Sequence, residues 1–502
     1  MSFKLNYSLI KALPFIFLLA FSDVTGKTVN QSYNGADCTL LNRAQVSELH
    51  KIKIHHKTLN NGLRIYVLEN HNLPIFSLRL VFDVGAGDEE PGESGYAHLF
   101  EHMMFKGSKS VPDGDHFAAI RSVGGHVNAS TDYDKTDYWS EAPVEFLDRV
   151  LWLEAERLNN LVITESNLEN QRQAVLEEKR LRIDNVPYYK TASEFMVSAW
   201  QGTSYDHLII GTEEEITNAT VNRVQKFFNQ YYRTDNAILT LVGDIDPETA
   251  IEKIAYYFSS RNEYSKQEPS LKANKVTKFP KSLEQNNTAI LQAKSETRFD
   301  PLAPFPLYAL GWHTAGKDNR DYYAVELLAD ILLNHDASRI KKRLKDEQQL
   351  VFETIGLPLT FEKAGITALG MVPHSYADFA QIKAAIKEEL DKIRIDGVTE
   401  AELCSAKKHR QMLILKKMSS NRFMAELIGD GVLFFADPRH SISALRAYRK
   451  VDNKAIKGIA DKYFHEDWLA LEIVPGPGVR LIKWLMETLP RSMSKSLEES
   501  FF

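Results

Sequence analysis

The chain repeats itself, and this repeat limits what it can fold into more than any other feature of the sequence. An aromatic pair, a polar turn and an apolar strand occur twice, as YYRTDNAILTLVGD from Tyr231 and as YFHEDWLALEIVPG from Tyr463. Further upstream, YAHLFEH at Tyr96 aligns with YAVELLA at Tyr323, and the two pairs of segments have nearly equal separations. Two matches in the same order and at similar spacing indicate a duplicated domain.

Length and composition agree with more than one folded domain. The chain has 502 residues, of which 44% are hydrophobic and 25% charged, and its net charge is −6. Since one domain takes about 100–200 residues, a single core is not expected. The sequence predicts a first domain at residues 51–261, a polar, Lys-rich linker at 262–287 and a second domain at 288–475. The mild acidity and the lack of a basic stripe argue against nucleic-acid binding.

The first residues are typical of a secretory signal peptide. Two lysines precede an apolar run from Ala12 to Phe21, and small residues suit cleavage near its end. We therefore expect a signal peptide at residues 1–22, an extension at 23–50 and a secreted or periplasmic protein. The run is shorter than the roughly 20 residues of a spanning helix, and no other stretch is long enough, so no stable membrane span is expected. An uncleaved membrane anchor is the alternative.

The two cysteines and the tail leave alternatives open. Cys38 and Cys404 could form a disulfide in an oxidising compartment, but two residues do not establish one. They cannot form a Cys-rich zinc site, so a metal would need histidine and carboxylate ligands. The tail at residues 476–502 contains a short amphipathic segment that could dock on this chain, dock on a partner or remain loose.

The segment GYAHLFEHMMFKGS carries two histidines and a glutamate in the order H-x-x-E-H. His98 and His102 are four residues apart, so on a helix they share one face and can direct one ring nitrogen each at a single ion. Zn–N distances of about 2.0–2.1 Å suit this spacing. Glu101 borders the same face but is angled away, which suits a carboxylate that holds a water beside the metal. A surface or core histidine pair is the alternative.

A catalytic zinc site needs about three protein ligands, so a third must come from elsewhere. Glu177 and Glu178 are the candidates, because they follow apolar residues in a helical pattern. The second repeat has only Val325, Leu328 and Ala329 at the positions of the histidines and the glutamate. This asymmetry indicates function, since a structural triad would more readily persist in both copies.

VGAGDEEPGESGYAHLFEHMMFKGS resembles the signature of the pitrilysin/insulinase/mitochondrial processing peptidase family, the zinc peptidases with an inverted motif. GGHVNASTDYDKTDYW, PYYKTASEFM and YDHLIIGTEEEI also resemble segments of that family. The resemblance is dense from about Ile52 to Glu248 and thinner from about Pro304 to Pro475. It implies an α+β fold of two homologous domains, each an antiparallel β-sheet layered with α-helices.

The resemblance also implies one zinc ion per chain. The spacing of the third ligand in the family selects Glu178 over Glu177, so His98, His102 and Glu178 would hold the metal. Glu101 would act as the general base on the metal-bound water. Several family members carry a glutamate where this chain has Gln171, which could support a ligand by a hydrogen bond but carries no charge.

For the substrate, the resemblance implies an extended peptide added to a sheet edge at Asn128, Ala129 and Ser130. An Asn128 side chain that is satisfied locally is the alternative. Complete enzymes of the family carry an Arg–Tyr pair that orients the substrate and stabilises the oxyanion. This chain has Lys345 and Phe352 at those positions, and Phe352 has no hydroxyl to donate while Lys345 lacks the planar fork of arginine.

We therefore expect a zinc-dependent endopeptidase that hydrolyses peptides or unfolded segments. The missing Arg–Tyr pair points to a homologous partner subunit that lacks the zinc motif and supplies the pair. A self-sufficient homodimer is the alternative assembly. A non-catalytic binding or assembly subunit is the alternative function.

Overall fold

The computed structural model describes residues 40–259 and 294–476, except residues 336 and 376. The predicted signal peptide, the predicted linker and the tail beyond Gly476 lie outside the described residues, as does most of the extension. The described chain forms two halves of similar design, each a β-sheet with helices packed on it.

The first half contains one sheet with the strand order β1-β2-β6-β3-β5-β4. Its strands are β1 His55–Thr58, β2 Arg64–Glu69, β3 Ile75–Phe82, β4 His126–Thr131, β5 Thr136–Pro143 and β6 Ala237–Gly243. Its helices are α1 Arg43–His50, α2 Tyr96–Met103, α3 Asp115–Arg121, α4 Leu147–Asn160, α5 Glu165–Lys179, α6 Tyr189–Ala199, α7 Glu213–Thr217, α8 Val221–Tyr231 and α9 Pro247–Phe258. Helix α5 continues as a π-helical turn, Arg180–Asp184.

The second half contains one sheet with the strand order β7-β11-β8-β10-β9. Its strands are β7 Ser295–Asp300, β8 Leu307–Ala315, β9 Val351–Thr360, β10 Ala364–Pro373 and β11 Leu469–Pro475. Its helices are α10 Tyr322–Leu332, α11 Arg339–Lys341, α12 Phe379–Asp396, α13 Glu400–Met418, α14 Asn421–Phe435, α15 His440–Lys450 and α16 Asn453–Tyr463. Helix α11 continues as a π-helical stretch, Lys342–Glu347.

The predicted α+β fold with two similar halves is confirmed, and the sheets are more mixed than expected. Most strand pairs are antiparallel, but β2 pairs with β6 in parallel and β7 pairs with β11 in parallel. In both halves the parallel partners are the strands near the beginning and the end of the unit. Parallel pairing needs a long crossover, and here the intervening strands and helices of each half provide it.

A helix of the second half covers one face of the first sheet. Ile428 of α14 packs near Val242 of β6, and Val432 packs with Val81 and Ile238. The opposite face of this sheet packs on helices of its own half. The central strand β6 is therefore buried at every position, which suits a sequence that is apolar except at Thr240.

The second sheet is covered in the reciprocal way, by a helix of the first half. Phe195 of α6 and Trp200, just after it, pack in one apolar cluster with Ile366, Leu471 and Ile473 of the second sheet. The halves thus exchange a helix, and each depends on the other for one face of its core.

The described part of the extension lies on the second half. The backbone N–H of Leu41 donates to Oε1 of Gln411 on α13, over 2.8 Å, and α1 packs against α15. Cys404 on α13 is disulfide-bonded, whereas Cys38 lies outside the described residues. None of the described helices combines the length and the apolar character that crossing a membrane requires.

Candidate metal centre

The helix α2 that carries the two histidines begins at a fixed point. Gly95 precedes it with φ of 89°, and a Cβ there would lie 2.7 Å from the carbonyl oxygen of Ile210. The buried carboxylate of Glu89 accepts hydrogen bonds from the N–H groups of Gly95 (2.8 Å) and Ala97 (2.7 Å). It therefore satisfies N–H groups that a helix start leaves without partners and places negative charge at the positive end of the helix.

Three ligand-type side chains meet between α2 and α5. Nε2 of His98 lies 3.7 Å from Oε2 of Glu178, and Nε2 of His102 lies 3.2 Å from the same oxygen. One ligand atom of each residue lies within 4.8 Å of the other two. In a tetrahedral zinc site with bonds of about 2.0–2.1 Å, ligand atoms are about 3.3 Å apart. Two imidazoles and one carboxylate are a donor set suited to zinc, so the residues fit this metal.

The electrostatics of these groups favour their ligand forms. Burial and the neighbouring His102 lower the pKa of His98 to about 4, so its imidazole is neutral at pH 7. Burial raises the pKa of Glu178, but the hydrogen bond from His102 and the nearby His98 and Arg182 lower it by more. Nη1 of Arg182 lies 2.5 Å from Oε1 of Glu178, and the carboxylate is ionised.

Glu101 lies beside this cluster in a different environment. Burial raises its pKa to about 7, against the opposing effect of a hydrogen bond from Thr131. Oγ1 of Thr131, at the end of β4, donates that bond to Oε2 of Glu101 over 2.6 Å. A carboxyl with such a pKa can exchange a proton near neutral pH.

The structure distinguishes the two candidate glutamates on α5. Glu178 faces the histidines, whereas the half-exposed Glu177 pairs with Nη1 of Arg180 at 3.0 Å. Gln171 lies on the same helix and is buried, with 4% of its surface exposed. Its amide nitrogen donates to Oδ1 of Asn170 over 2.6 Å.

Asn128, Ala129 and Ser130 lie on the edge strand β4. Alternate residues of a strand face opposite sides of the sheet, so Ala129 and Thr131 face α2 while Asn128 and Ser130 face away from it. Oγ of Ser130 donates to Oδ1 of Asp137 over 2.9 Å. Within the described residues β4 pairs only with β5, so its outer backbone edge can accept another strand.

Lys345 and Phe352 lie in the second half, in the π-helical stretch after α11 and at the start of β9. Nζ of Lys345 lies 2.6 Å from Oε2 of Glu353, whose other oxygen lies 2.9 Å from Nζ of Lys341. The ring of Phe352 packs on the ring of His374, with 3.8 Å between centroids. Lys345 is thus held in an ion pair with Glu353.

Three contributors to the centre were not singled out from the sequence. Glu89 fixes the start of α2, Thr131 binds Glu101, and Arg182 pairs with Glu178. Thr131 could have been noted from the sequence, because it lies in the segment GGHVNASTDYDKTDYW that resembles the family and directly follows Ser130. Arg182 could have been noted at the i+4 position from Glu178. Nothing in the sequence points from Glu89 to the helix start that it binds.

Two family models match the chain in succession. Residues 64–213 match the insulinase model of peptidase family M16, and residues 218–409 match the model of the peptidase M16 inactive domain. The chain belongs to the M16, or insulinase, family of peptidases, and the predicted resemblance is confirmed.

Particular relatives agree with this assignment. The chain is similar to the zinc protease PqqE of Helicobacter pylori, with 27% identity over 419 residues, 82% of this chain and 90% of that protein. Because this and other relatives are named zinc proteases, a peptidase role is supported.

Solved structures share the fold. A protease from Helicobacter pylori has a TM-score of 0.77 and 24% identity, covering 84% of this chain and 99% of that one. The first half of the periplasmic protease PqqL from Escherichia coli has a TM-score of 0.63 and 20% identity. The match covers 89% of this chain and 96% of that one. Against the PqqL chain that includes both halves, the match covers 50% of that chain.

Proposed function

We propose that this chain is a zinc-dependent endopeptidase that hydrolyses peptides or unfolded segments. The observation that carries the proposal is the convergence of His98, His102 and Glu178, with Glu101 beside them. We assign residues 51–261 as the metal-binding peptidase domain, 262–287 as a linker and 288–475 as the second domain, which lacks the metal motif.

His98, His102 and Glu178 would hold one zinc ion per chain, and this ion would supply a Lewis acid and lower the pKa of water to about 7. Glu101 takes a proton from the attacking water and passes it to the leaving amine. Burial raises the pKa of Glu101, which favours uptake of a proton from the attacking water. Arg182 holds the second oxygen of Glu178 and so orients that carboxylate.

The edge of β4 binds the substrate as an added strand. The side chains of Asn128 and Ser130 face away from α2. Those backbone N–H and C=O groups of residues 128–130 that do not pair with β5 carry the binding. Backbone pairing tolerates many sequences, which suits an enzyme for peptides and unfolded segments.

A homologous partner subunit without the zinc motif supplies the Arg–Tyr pair. Phe352 offers no hydroxyl, and Lys345 is engaged by Glu353. The match to only half of the full PqqL chain supports a need for a second unit. In the alternative homodimer, Lys345 would break its ion pair with Glu353 and take the place of the Arg–Tyr pair. Co-purification from the native source distinguishes them: a stoichiometric partner with Arg and Tyr at these positions supports the pair, and a homodimer of full activity contradicts it.

We place the protein outside the cytoplasm, secreted or periplasmic, after cleavage of residues 1–22. The signal-like sequence supports this location, and the related PqqL is described as a periplasmic protease. Mass spectrometry of the mature N-terminus tests the cleavage.

A non-catalytic binding or assembly subunit is the second candidate. The match of residues 218–409 to a domain model described as inactive favours it, as does the replacement of the Arg–Tyr pair. This role would not need zinc or the proton transfer that Glu101 provides.

Two measurements on the purified full chain separate the candidates. Elemental analysis should find one zinc ion per chain, and a quenched fluorescent peptide should be cleaved, weakly without the partner. A chelator should abolish cleavage and added zinc should restore it. A chain that binds no zinc, or a zinc-loaded chain with its partner that cleaves no peptide, contradicts the peptidase proposal.

A further inference from the structure

We infer that Thr131 is a positioning residue that holds the carboxyl group of Glu101 in its reactive orientation. The inference rests on the proposed peptidase function and assigns to Thr131 a role separate from substrate binding along β4. Oγ1 of Thr131 lies 2.6 Å from Oε2 of Glu101, and both side chains are partly buried between β4 and α2.

The hydroxyl of Thr131 restricts the orientation of the Glu101 carboxylate but occupies only one of its two oxygens. A hydroxyl has one proton to give, so it binds one carboxylate oxygen and leaves the other able to accept a proton from water. Threonine is also β-branched, so its χ1 angle is restricted and its hydroxyl has few alternative positions. A short bond from such a donor limits rotation of the Glu101 carboxyl about its terminal torsion.

The strand end that carries Thr131 is fixed to the segment that leads into α2. Thr131 pairs with Thr136 across the hairpin, and the N–H of Asp132 closes the turn on the carbonyl of Lys135 over 2.8 Å. The N–H of Ala86 donates to the carbonyl of Asp132 over 3.0 Å. The hairpin that carries Thr131 is thus hydrogen-bonded to the segment that precedes α2, the helix that carries Glu101.

Gly85 permits this connection. A Cβ at Gly85 would lie 2.3 Å from the carbonyl oxygen of Asp132, so a larger residue would push the hairpin turn away from the loop. The close approach of two backbones keeps the end of β4 beside α2. Precise placement of a catalytic group by fixed neighbours is what a preorganised site requires.

The test compares Thr131→Val with Thr131→Ser in the zinc-loaded full chain, together with the partner if one co-purifies. Valine keeps the shape but removes the donor, whereas serine keeps the donor. We expect Thr131→Val to lower kcat by about 10- to 100-fold with little change in KM or zinc content. Thr131→Ser should recover most of that loss.

Thr297→Val is the matched control. Thr297 is an exposed strand threonine of the second half whose Oγ1 lies 3.4 Å from Oε2 of Glu472. Its replacement removes the same kind of hydroxyl–carboxylate bond away from the centre, so kcat should not change. An unchanged kcat in Thr131→Val, or equal losses in the valine and serine variants, would overturn the inference.

A structural readout separates this inference from the proposed function. In crystals of the zinc-loaded protein, Glu101 should hold one conformer in the wild type and should rotate or occupy several conformers in Thr131→Val. An identical Glu101 conformer in both would refute the positioning role even if the protein cleaves peptides. Loss of cleavage in the wild type itself would contradict the peptidase proposal and would leave this comparison of conformers valid.

Discussion

At the scale of single residues, two glutamates near each other have environments that suit different tasks. Burial raises the pKa of Glu101 to about 7, whereas hydrogen bonding from His102 and the nearby His98 and Arg182 outweigh burial and depress the pKa of Glu178. A carboxyl with a raised pKa suits proton transfer, and one that stays ionised suits a metal. The proposed assignment of base and ligand therefore rests on the surroundings of the two residues, since both side chains are glutamates.

The neighbouring glutamates of α5 give the sharpest test of the ligand set. We expect Glu178→Gln to weaken zinc binding by at least about 100-fold, because the loss of a direct ligand should exceed the effect of losing a supporting hydrogen bond. Competition with a chromogenic chelator measures this affinity. Glu177→Gln is the control, since Glu177 pairs with Arg180 at the surface, and its zinc affinity should match the wild type. Equal affinities in the two variants would exclude Glu178 as a ligand.

At the scale of helices and strands, the sequence predicts local features better than contacts between distant segments. The H-x-x-E-H pattern places His98 and His102 on one helix face from spacing alone. The proposed third ligand depends on the packing of α5 on α2, which spacing along the chain does not show. Spacing therefore left Glu177 and Glu178 both possible, and family resemblance selected between them. Adjacent helical residues differ by about 100° around the axis, so only one of the two can face α2.

The exchanged helices show the same limit. The sequence of β6 is apolar except at Thr240, which is typical of a strand buried on both faces. The sequence of β6 does not show which helix covers each face. Helices of both halves have apolar faces, and α14 of the second half is one of them. The parallel pairs were missed for the same reason, since their partners are far apart in the chain.

The packing of α14 on the first sheet can be tested by substitution of Gly429. A Cβ there would lie 2.7 Å from Nη1 of Arg79 and 3.3 Å from Oγ1 of Thr240. Arg79 is buried and fixed by ion pairs, so we expect Gly429→Ala to destabilise the fold by about 1–3 kcal/mol, as overpacking does. Chemical denaturation of Gly429→Ala and of the wild type provides the measurement.

Gly458 on α16 is the matched control for Gly429. It is also a helical glycine, but nothing lies within 4 Å of a Cβ at this position. Gly458→Ala should therefore stabilise the protein by about 0.5–1 kcal/mol through helix propensity. Stabilisation by both alanines would show that α14 does not approach the first sheet as closely as the structure describes.

At the scale of the whole molecule, a charged cluster ties the two halves together. Arg79 of β3 pairs with Asp137 of β5 at 3.1 Å and with Asp430 of α14 at 2.9 Å. Lys135 also pairs with Asp430, at 2.8 Å. Asp137 accepts the hydroxyl of Ser130, so this inter-half cluster reaches the proposed substrate strand. Movement between the halves would disturb the strand beside the centre.

The cluster predicts how stability depends on pH. Burial raises the pKa of Asp430, but the charges of Arg79 and Lys135 lower it by more, and the pKa of Asp137 is also lowered. A carboxylate with a lowered pKa stabilises the folded state above its unfolded value of about 4 and loses that contribution as the pH falls further. The free energy of unfolding, measured between pH 7 and pH 2, should decrease once the pH is below about 4.

Replacement of Asp430 isolates this contribution. The side chain of Asp430 is 28% exposed, so Asp430→Asn should cost about 1–3 kcal/mol at pH 7, between the values for exposed and buried pairs. The variant should also lose less stability on acidification than the wild type. Glu48→Gln removes a pair with Lys51 in which both side chains are more than half exposed, and it should change little. If both variants changed the free energy of unfolding equally, the charged cluster would not stabilise the contact between the halves.

The central claim is that Glu101 transfers the proton in a zinc-dependent hydrolysis. The most direct measurement is the rate of peptide cleavage by Glu101→Gln, loaded with zinc to the wild-type stoichiometry and assayed with any partner that co-purifies. We predict unchanged zinc content and a kcat lower by about 100-fold or more, because glutamine cannot accept the proton. Wild-type turnover in the zinc-loaded Glu101→Gln protein would contradict the account.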